Sequence, residues 1–129
     1  MYAYGMSPDS FNELFEKTKA YYKSIGKIRC IWINNEYIIF GNSGFTHLLI
    51  KNRKSRSISE KYRKLSLVKY IPQIINNENA EIGLRILKDK KYGQIEFRSI
   101  AAETNSRSIK VILRKIGNGN YHFWSVMDT

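Results

Sequence analysis

The sequence predicts a single α+β domain of 129 residues, in which N-terminal helices pack on one face of a C-terminal antiparallel β-meander of about four strands. Apolar residues recur at helical spacing before residue 76, and four strand-like segments separated by short turns follow residue 80. Both the length and a hydrophobic content of 43% suit one domain with a buried core. We divide it into a helix and short hairpin (7–40), a basic helical segment (41–77) and the sheet (81–127).

The N-terminal segment predicts a helix followed by a hairpin. Ser7-Pro8-Asp9-Ser10 offers a capping hydroxyl, a first-turn proline and an acid at the positive end of the helix dipole. Gly26 suits a left-handed stop. Lys27–Ile33 and Glu36–Phe40 then read as two short strands around a turn at Asn34-Asn35.

The middle segment predicts two further helices. Asn42-Ser43-Gly44 can cap a short helix over Phe45–Asn52, on which His47 and Lys51 would share a face because they are four residues apart. A polar loop, Arg53–Ser57, follows. The apolar spacing of Ile58–Ile75 is helical again, and Pro72 should kink or divide that helix.

The last segment reads as strands in four consecutive runs: Glu81–Lys88, Tyr92–Glu103, Ser108–Ile116 and Asn120–Met127. Gly117-Asn118-Gly119 is a strong hairpin turn. Alternation along the final strand places His122 and Trp124 on one face and Ser125 on the other. His122 and Ser125 therefore share a face only if a bulge intervenes.

The charge pattern indicates a polyanionic partner. The chain has 22 Lys plus Arg against 11 Asp plus Glu, a formal charge of +11. A dense basic stretch follows His47 and contains one acid, Glu60. RNA is the simplest polyanion for such a surface. A solubilising charged surface is the plain alternative, and a membrane surface ranks lower because the apolar positions are needed for a core.

Other composition signals exclude several classes. No apolar run approaches the length of a membrane span, and no signal-peptide pattern opens the chain. Cys30 is the single cysteine, which leaves no internal disulfide or thiolate metal set, and its apolar surroundings in the sequence predict a core residue. Phosphate-loop, dinucleotide and zinc-spacing motifs are all missing from the sequence.

The candidate chemistry is RNA cleavage without a metal, which needs a base, an acid and cations around the phosphate. His47 and His122 are the two histidines, and either could also be structural. An inward Ser125 could bind phosphate or a 2′-OH, or else bond its own backbone. Arg98, Lys110 and Arg114 could line one basic sheet face, with an ordinary solvated face as the alternative. Trp124 is favoured as a packing residue over a base-stacking one.

The order of these parts resembles the barnase–EndoU–colicin–RelE superfamily of ribonucleases, in particular its phage-associated and polymorphic-toxin members, including contact-dependent inhibition toxin domains. The resemblance covers about residues 40–127. It rests on Gly44-Phe-Thr-His-Leu-Leu-Ile-Lys51, on Tyr62-Arg-Lys-Leu-Ser-Leu-Val-Lys-Tyr-Ile-Pro-Gln-Ile-Ile75, and on Ile109-Lys-Val-Ile-Leu-Arg114 with His122-Phe-Trp-Ser-Val126.

The resemblance implies a toxin that cleaves tRNA or mRNA in the cytoplasm, with delivery as part of a larger carrier protein as one route. It also implies an acidic immunity or antitoxin protein as partner, and activity without a metal. We expect no cofactor and no membrane partner. His47 would take the helix-borne catalytic place and Ser125 the last-strand place.

We therefore expect a metal-independent endoribonuclease that uses 2′-OH attack to leave a 2′,3′-cyclic phosphate. The expected catalytic residues are His47, Ser125 and Arg53, with His122 as the alternate acid. The expected phosphate-binding residues are Lys51, Arg56, Arg98, Lys110 and Arg114. The alternatives are a non-catalytic basic nucleic-acid-binding module and a protein-interaction domain that meets an acidic partner.

Overall fold

A computed structural model describes residues 8–129 and confirms the α+β class. The first half is mainly helical, and its elements are α1 (Pro8–Ile25), β1 (Lys27–Arg29), a 3₁₀ turn (Ile31–Ile33), β2 (Tyr37–Ile39), α2 (Asn42–Leu49), β3 (Ile50–Lys51), β4 (Lys54–Ser55), α3 (Ile58–Leu67), a second 3₁₀ turn (Val68–Tyr70) and α4 (Ile71–Ile75). The second half consists of strands β5 (Glu81–Asp89), β6 (Gly93–Thr104), β7 (Arg107–Ile116) and β8 (Tyr121–Asp128).

The main sheet has six strands in the order β1-β2-β8-β7-β6-β5, and β3 and β4 form a separate pair. The predicted four-strand meander is present as β5 to β8, but the prediction of about four strands is too low. The N-terminal hairpin extends the sheet because β2 pairs in parallel with the start of β8, with Ile38 opposite Tyr121 and Ile39 opposite His122. A pairing between segments so far apart in the chain leaves no local sequence signal.

The N-terminal hairpin is shorter than predicted. Residues Ile31–Ile33 form a 3₁₀ turn where the sequence predicted a continuing strand. Asn34 and Asn35 both have positive φ, as a turn at this point requires, so the turn prediction is confirmed. Gly26 follows α1 with φ +63°, in agreement with the predicted left-handed stop. The predicted cap at Ser7 lies outside the described residues.

The basic helical segment also differs in its boundaries. Helix α2 ends at Leu49, so Lys51 lies on β3 and does not share a helix with His47 as predicted. The predicted loop contains β4, which pairs back onto β3. Pro72 does divide the following helix, because it lies in the first turn of α4 after a 3₁₀ segment.

The core lies on the sheet face that carries Ile109, Val111 and Leu113. These side chains belong to one buried cluster with Ile71 and Ile74 of α4, and with apolar residues of β8, α3 and the N-terminal hairpin. Cys30 is fully buried in this cluster, as predicted. Within residues 8–129 no helix is both long enough and apolar enough to cross a membrane.

Helix α2 is held close to β8 by a glycine. A Cβ at Gly44 would overlap the carbonyl oxygen of Phe123 and would lie 2.8 Å from the hydroxyl of Tyr22. The helix therefore packs backbone to backbone against the strand, which only glycine permits. Consequently His47, one turn further along α2, is fixed relative to the second half of β8.

Strand β8 contains a bulge at Trp124. Ile112 lies opposite Ser125 whereas Leu113 lies opposite Phe123, so Trp124 is the extra residue. Because directly paired residues point to the same face of a sheet, Ser125 shares the face of Ile112, away from the core. The bulge thereby turns Ser125 toward the opposite face from Phe123.

Candidate functional site

A cleft of about 640 Å³ lies over the sheet face opposite the core, bordered by α2, β3 and α3. It is lined by His47, Lys51, Arg56, Lys64, Gly83, Leu84, Arg85, Leu87, Phe97, Arg98, Ser99, Lys110, Ile112, Trp124, Ser125 and Met127. Six of these residues are Lys or Arg, and none is Asp or Glu. The lining also includes apolar and aromatic side chains. Such a cleft favours an anionic ligand that has flat or apolar parts.

His47, Trp124 and Arg114 form a stack at one wall of the cleft. The rings of His47 and Trp124 have their centroids 4.2 Å apart at an interplanar angle of 23°. The guanidinium carbon of Arg114 lies 3.7 Å from the Trp124 centroid. Two groups this close to one centroid need opposite faces of the ring, so both faces of Trp124 are covered. Trp124 therefore orients the imidazole and has no free face on which a base could stack.

The environment of His47 favours the neutral imidazole. Its pKa is lowered chiefly by burial and then by the charge of Arg56, with smaller contributions from Lys64 and Arg114. A hydrogen bond with the backbone of Trp124 opposes this effect. The Nδ1 atom is buried and has no hydrogen-bond partner among residues 8–129. The lowered pKa keeps the imidazole in the neutral form, which is the form that can accept a proton.

Arg56 holds the histidine segment in place. Its Nε donates to the carbonyl oxygen of His47 at 3.1 Å, and its backbone N–H donates to the carbonyl of Leu49 at 2.8 Å. The guanidinium also lies 3.4 Å from a carboxylate oxygen of Glu60. Arg56 is thus a positioning residue as well as a cation of the cleft.

Lys64 is the most unusual cation of the site, because it is only 7% exposed. Its Nζ donates to the carbonyl oxygen of Val126 at 2.8 Å and to Oγ of Ser125 at 3.3 Å. Burial, followed by the charges of Arg56, Arg63 and Lys51, lowers the pKa of Lys64 to about 8, while Glu60 opposes the shift. Ser125 is itself only 4% exposed. The hydrogen bonds of Lys64 to Ser125 and Val126 thus link α3 to the bulged part of β8.

Six of the predicted residues line the cleft: His47, Lys51, Arg56, Arg98, Lys110 and Ser125. Lys51 reaches it from β3 rather than from the helix of His47. Arg114 is not among the lining residues, but its guanidinium covers one face of Trp124, which does line the cleft. The roles predicted for these residues remain predictions, but the structure does bring them to one place.

Arg98 does not share a face with Lys110 and Arg114 as the sequence predicted. It lies opposite the core residue Leu113, whereas Arg114 lies opposite Phe97. Its Nε is bonded to the hydroxyl of Tyr121 at 2.8 Å and to Glu96 at 3.3 Å. Arg98 still borders the cleft, but its guanidinium already has protein partners.

Arg53 and His122 are not among the residues that line the cleft. Arg53 is exposed in the turn between β3 and β4, where its φ is +64°. His122 is exposed on β8, and the Nδ1 atom of its ring lies near Gly41. The bulge does turn His122 and Ser125 to the same side of the sheet, yet the two histidines do not meet in the cleft.

The residues of the site that the sequence analysis missed include Lys64, Arg85 and Phe97. Lys64 had a detectable signal, because it precedes the fully buried Leu67 and Val68 by three and four residues and therefore lies on the buried stripe of its helix. Arg85 and Phe97 lie directly opposite each other in the β5–β6 ladder. Their inclusion depends on which sheet face remains uncovered, which only the packing of the helices decides.

The comparisons identify no relatives: no family model, curated protein or solved structure matches this chain. Throughout the described part of the chain, no three His, Cys, Asp or Glu side chains are grouped so that they could hold a metal ion.

Proposed function

We propose that this protein is a metal-independent endoribonuclease that cleaves RNA by 2′-OH attack and leaves a 2′,3′-cyclic phosphate. The observation that carries the proposal is the position of His47, a histidine biased toward its neutral form at the wall of a cleft with six cations and no acid.

In this mechanism His47 is the general base that removes the proton of the 2′-OH. A lowered pKa keeps the imidazole unprotonated at neutral pH, which is the form that a base requires. Proton transfer of this kind typically contributes about 10² to 10⁴-fold to a rate. Burial, followed by the charge of Arg56, maintains that protonation state, and Trp124 fixes the orientation of the ring.

The cations of the cleft stabilise the additional negative charge that develops on the phosphorus during attack. Lys51, Arg56 and Lys110 line the cleft and are suited to contact the phosphate oxygens. Arginine can bind two phosphate oxygens at once, which also sets the orientation of the scissile bond. The apolar lining, with Phe97 and Met127, suits the bases of a single-stranded segment.

The biological setting in this proposal is a toxin that acts on tRNA, or on mRNA, in the cytoplasm. Its helices cover one face of the meander and leave the cleft face open to RNA. An acidic immunity or antitoxin protein would neutralise the cleft, since the chain carries a formal charge of +11.

The test is incubation of the purified protein with total bacterial RNA in EDTA, followed by a denaturing gel and analysis of the fragment ends. We expect discrete fragments with cyclic phosphate ends, and a rate for His47→Ala at least about 10²-fold lower. Thr46→Ala, an exposed neighbour on the same helix, serves as the matched control. Equal rates for His47→Ala and the parent protein would refute the mechanism.

The second candidate is a non-catalytic nucleic-acid-binding module. The stack of His47 on Trp124 favours it, since a histidine held in this way can serve packing alone. In that case the RNA stays intact, a retarded band appears on a native gel, and the affinity falls steeply with salt because bound phosphates release counterions.

A further inference from the structure

We propose that Ser125 and Lys64 act together as the general acid of this site, with the Ser125 hydroxyl protonating the leaving 5′-oxygen and Lys64 resupplying the proton. The proposal rests on the ribonuclease function and assigns the second proton transfer of that reaction.

The hydrogen bond between the two side chains sets the direction of proton flow. An ammonium group has three donors and no acceptor, so Lys64 Nζ donates to Ser125 Oγ across 3.3 Å. The hydroxyl hydrogen of Ser125 is then free to point elsewhere, and Ser125 lines the cleft. The second bond of Lys64, to the carbonyl oxygen of Val126 at 2.8 Å, anchors the ammonium beside the serine.

The bulge in β8 places this donor next to the proposed base. His47 stacks on Trp124, and Ser125 is the next residue along the strand. Consecutive Cα atoms are about 3.8 Å apart, so the residue that stacks on the base and the residue that carries the acid are neighbours on β8. In a regular strand Trp124 and Ser125 would point to opposite faces, and only the bulge brings both to the cleft.

The proton transfers balance within the site. His47 takes the proton of the 2′-OH as the bond from the 2′-oxygen to phosphorus forms. The bond from phosphorus to the 5′-oxygen breaks, and that oxygen takes the hydroxyl proton of Ser125. Ser125 Oγ takes a proton from Lys64 Nζ. The cycle ends with His47 protonated and Lys64 neutral, and exchange with water resets both groups.

The surroundings of Lys64 make it a better proton donor than an ordinary lysine. Its pKa of about 8 lies closer to neutrality than the usual 10.5, owing to burial and to the charges of Arg56, Arg63 and Lys51. Glu60 of the same helix acts in the opposite direction. From the neighbouring elements, His47 of α2 and Asp128 of β8 also approach the cluster, and Arg63 lies 3.7 Å from Asp128.

Two substrates distinguish an acid from a structural pair. One is a dinucleotide, whose 5′-oxygen leaving group must be protonated. The other is the matching nucleoside 3′-(4-nitrophenyl phosphate), whose nitrophenolate leaves without a proton. We expect Ser125→Ala to lose about 10²-fold or more on the dinucleotide, the usual size of a general-acid effect, and to change little on the activated ester. Lys64→Met should behave in the same way.

The pH profiles provide a second readout. For the parent protein, cleavage of the dinucleotide should fall as the pH rises through about 8, where Lys64 loses its proton. Cleavage of the activated ester should show no such fall. Ser66→Ala is the control variant, because Ser66 lies on the same helix as Lys64 and its hydroxyl donates to the carbonyl of Tyr62 one turn earlier.

The outcomes separate this inference from the function on which it rests. If Ser125→Ala loses activity equally on both substrates, or on neither, the acid assignment is wrong. If the parent protein cleaves neither substrate, the ribonuclease proposal has failed instead. Ser125→Ala removes a single oxygen atom, so it gives an answer even if Lys64→Met does not fold. His47→Ala should lose activity on both substrates, because both need a base.

Discussion

Replacement of Lys64 by methionine should change how the stability of the protein depends on pH. In the folded protein Lys64 is 7% exposed and its pKa falls from 10.5 to about 8. One pKa unit corresponds to about 1.4 kcal/mol, so the charged form costs the folded state about 3 kcal/mol relative to the unfolded chain.

The sign follows from which state binds more protons. Between pH 8 and 10.5 Lys64 is largely neutral in the folded protein and protonated in the unfolded chain. The free energy of unfolding therefore rises with pH over this window. The cost of the buried charge is complete below about pH 8 and has disappeared above pH 10.5. Between pH 7 and 9.5 the parent protein should gain about 2 kcal/mol relative to Lys64→Met.

The assay is urea unfolding of both proteins at several pH values from 7 to 9.5. Other groups that titrate in this range are present in both proteins and cancel in the difference. The loss of the donor to Val126 adds a constant offset of about 1–3 kcal/mol, which does not depend on pH. If the difference between the two proteins stays constant within about 0.5 kcal/mol, Lys64 does not carry a buried charge and the reasoning fails.

Two further predictions concern α2 and its histidine. Gly44→Ala should destabilise the protein by about 1–3 kcal/mol or more in urea unfolding, because the new Cβ would overlap the backbone of β8, whereas exposed Ser43→Ala should have little effect. Retention of full stability by Gly44→Ala would contradict the close approach. Arg56→Gln should raise the pKa of His47 in an NMR titration, because Arg56 is the largest charge that lowers it. Exposed Arg53→Gln should not raise that pKa, and an equal rise in both variants would remove the electrostatic explanation.

Local signals account for the parts of the fold that the sequence could predict. The meander was predictable because each strand is bounded by turn residues, and the division of the third helical segment followed from Pro72. The addition of the N-terminal hairpin to β8 was not predictable, because two pairs of residues separated by more than 80 positions define it. The early end of helix α2 has a different and local cause, because Ile50 and Lys51 pair with Ser55 and Lys54 in a short hairpin.

The residues of the candidate site also differ in whether local sequence could identify them. His47, Lys51 and Arg56 could be found from composition and spacing, because they cluster in the chain itself. Arg98 was assigned to the wrong face because the face of a residue in a sheet depends on register. Lys64 was overlooked because an exposed lysine and a buried lysine look the same in a basic run, and only the neighbouring apolar positions distinguish them.

The bulge at Trp124 connects these separate observations. If Trp124 were paired as in a regular strand, Phe123 and Ser125 would point to the same face, and either the core residue or the serine would face the wrong side. With the bulge, Phe123 stays fully buried, Trp124 supports His47, and Ser125 reaches Lys64. Bulges commonly redirect side chains beside active sites. Deletion of Trp124 should therefore lower the rate of RNA cleavage by about the same factor as Trp124→Leu. The deletion would restore a regular strand in which Ser125 directly follows Phe123 and stays opposite Ile112, so both changes would remove the stack on His47 and leave Ser125 on the cleft face.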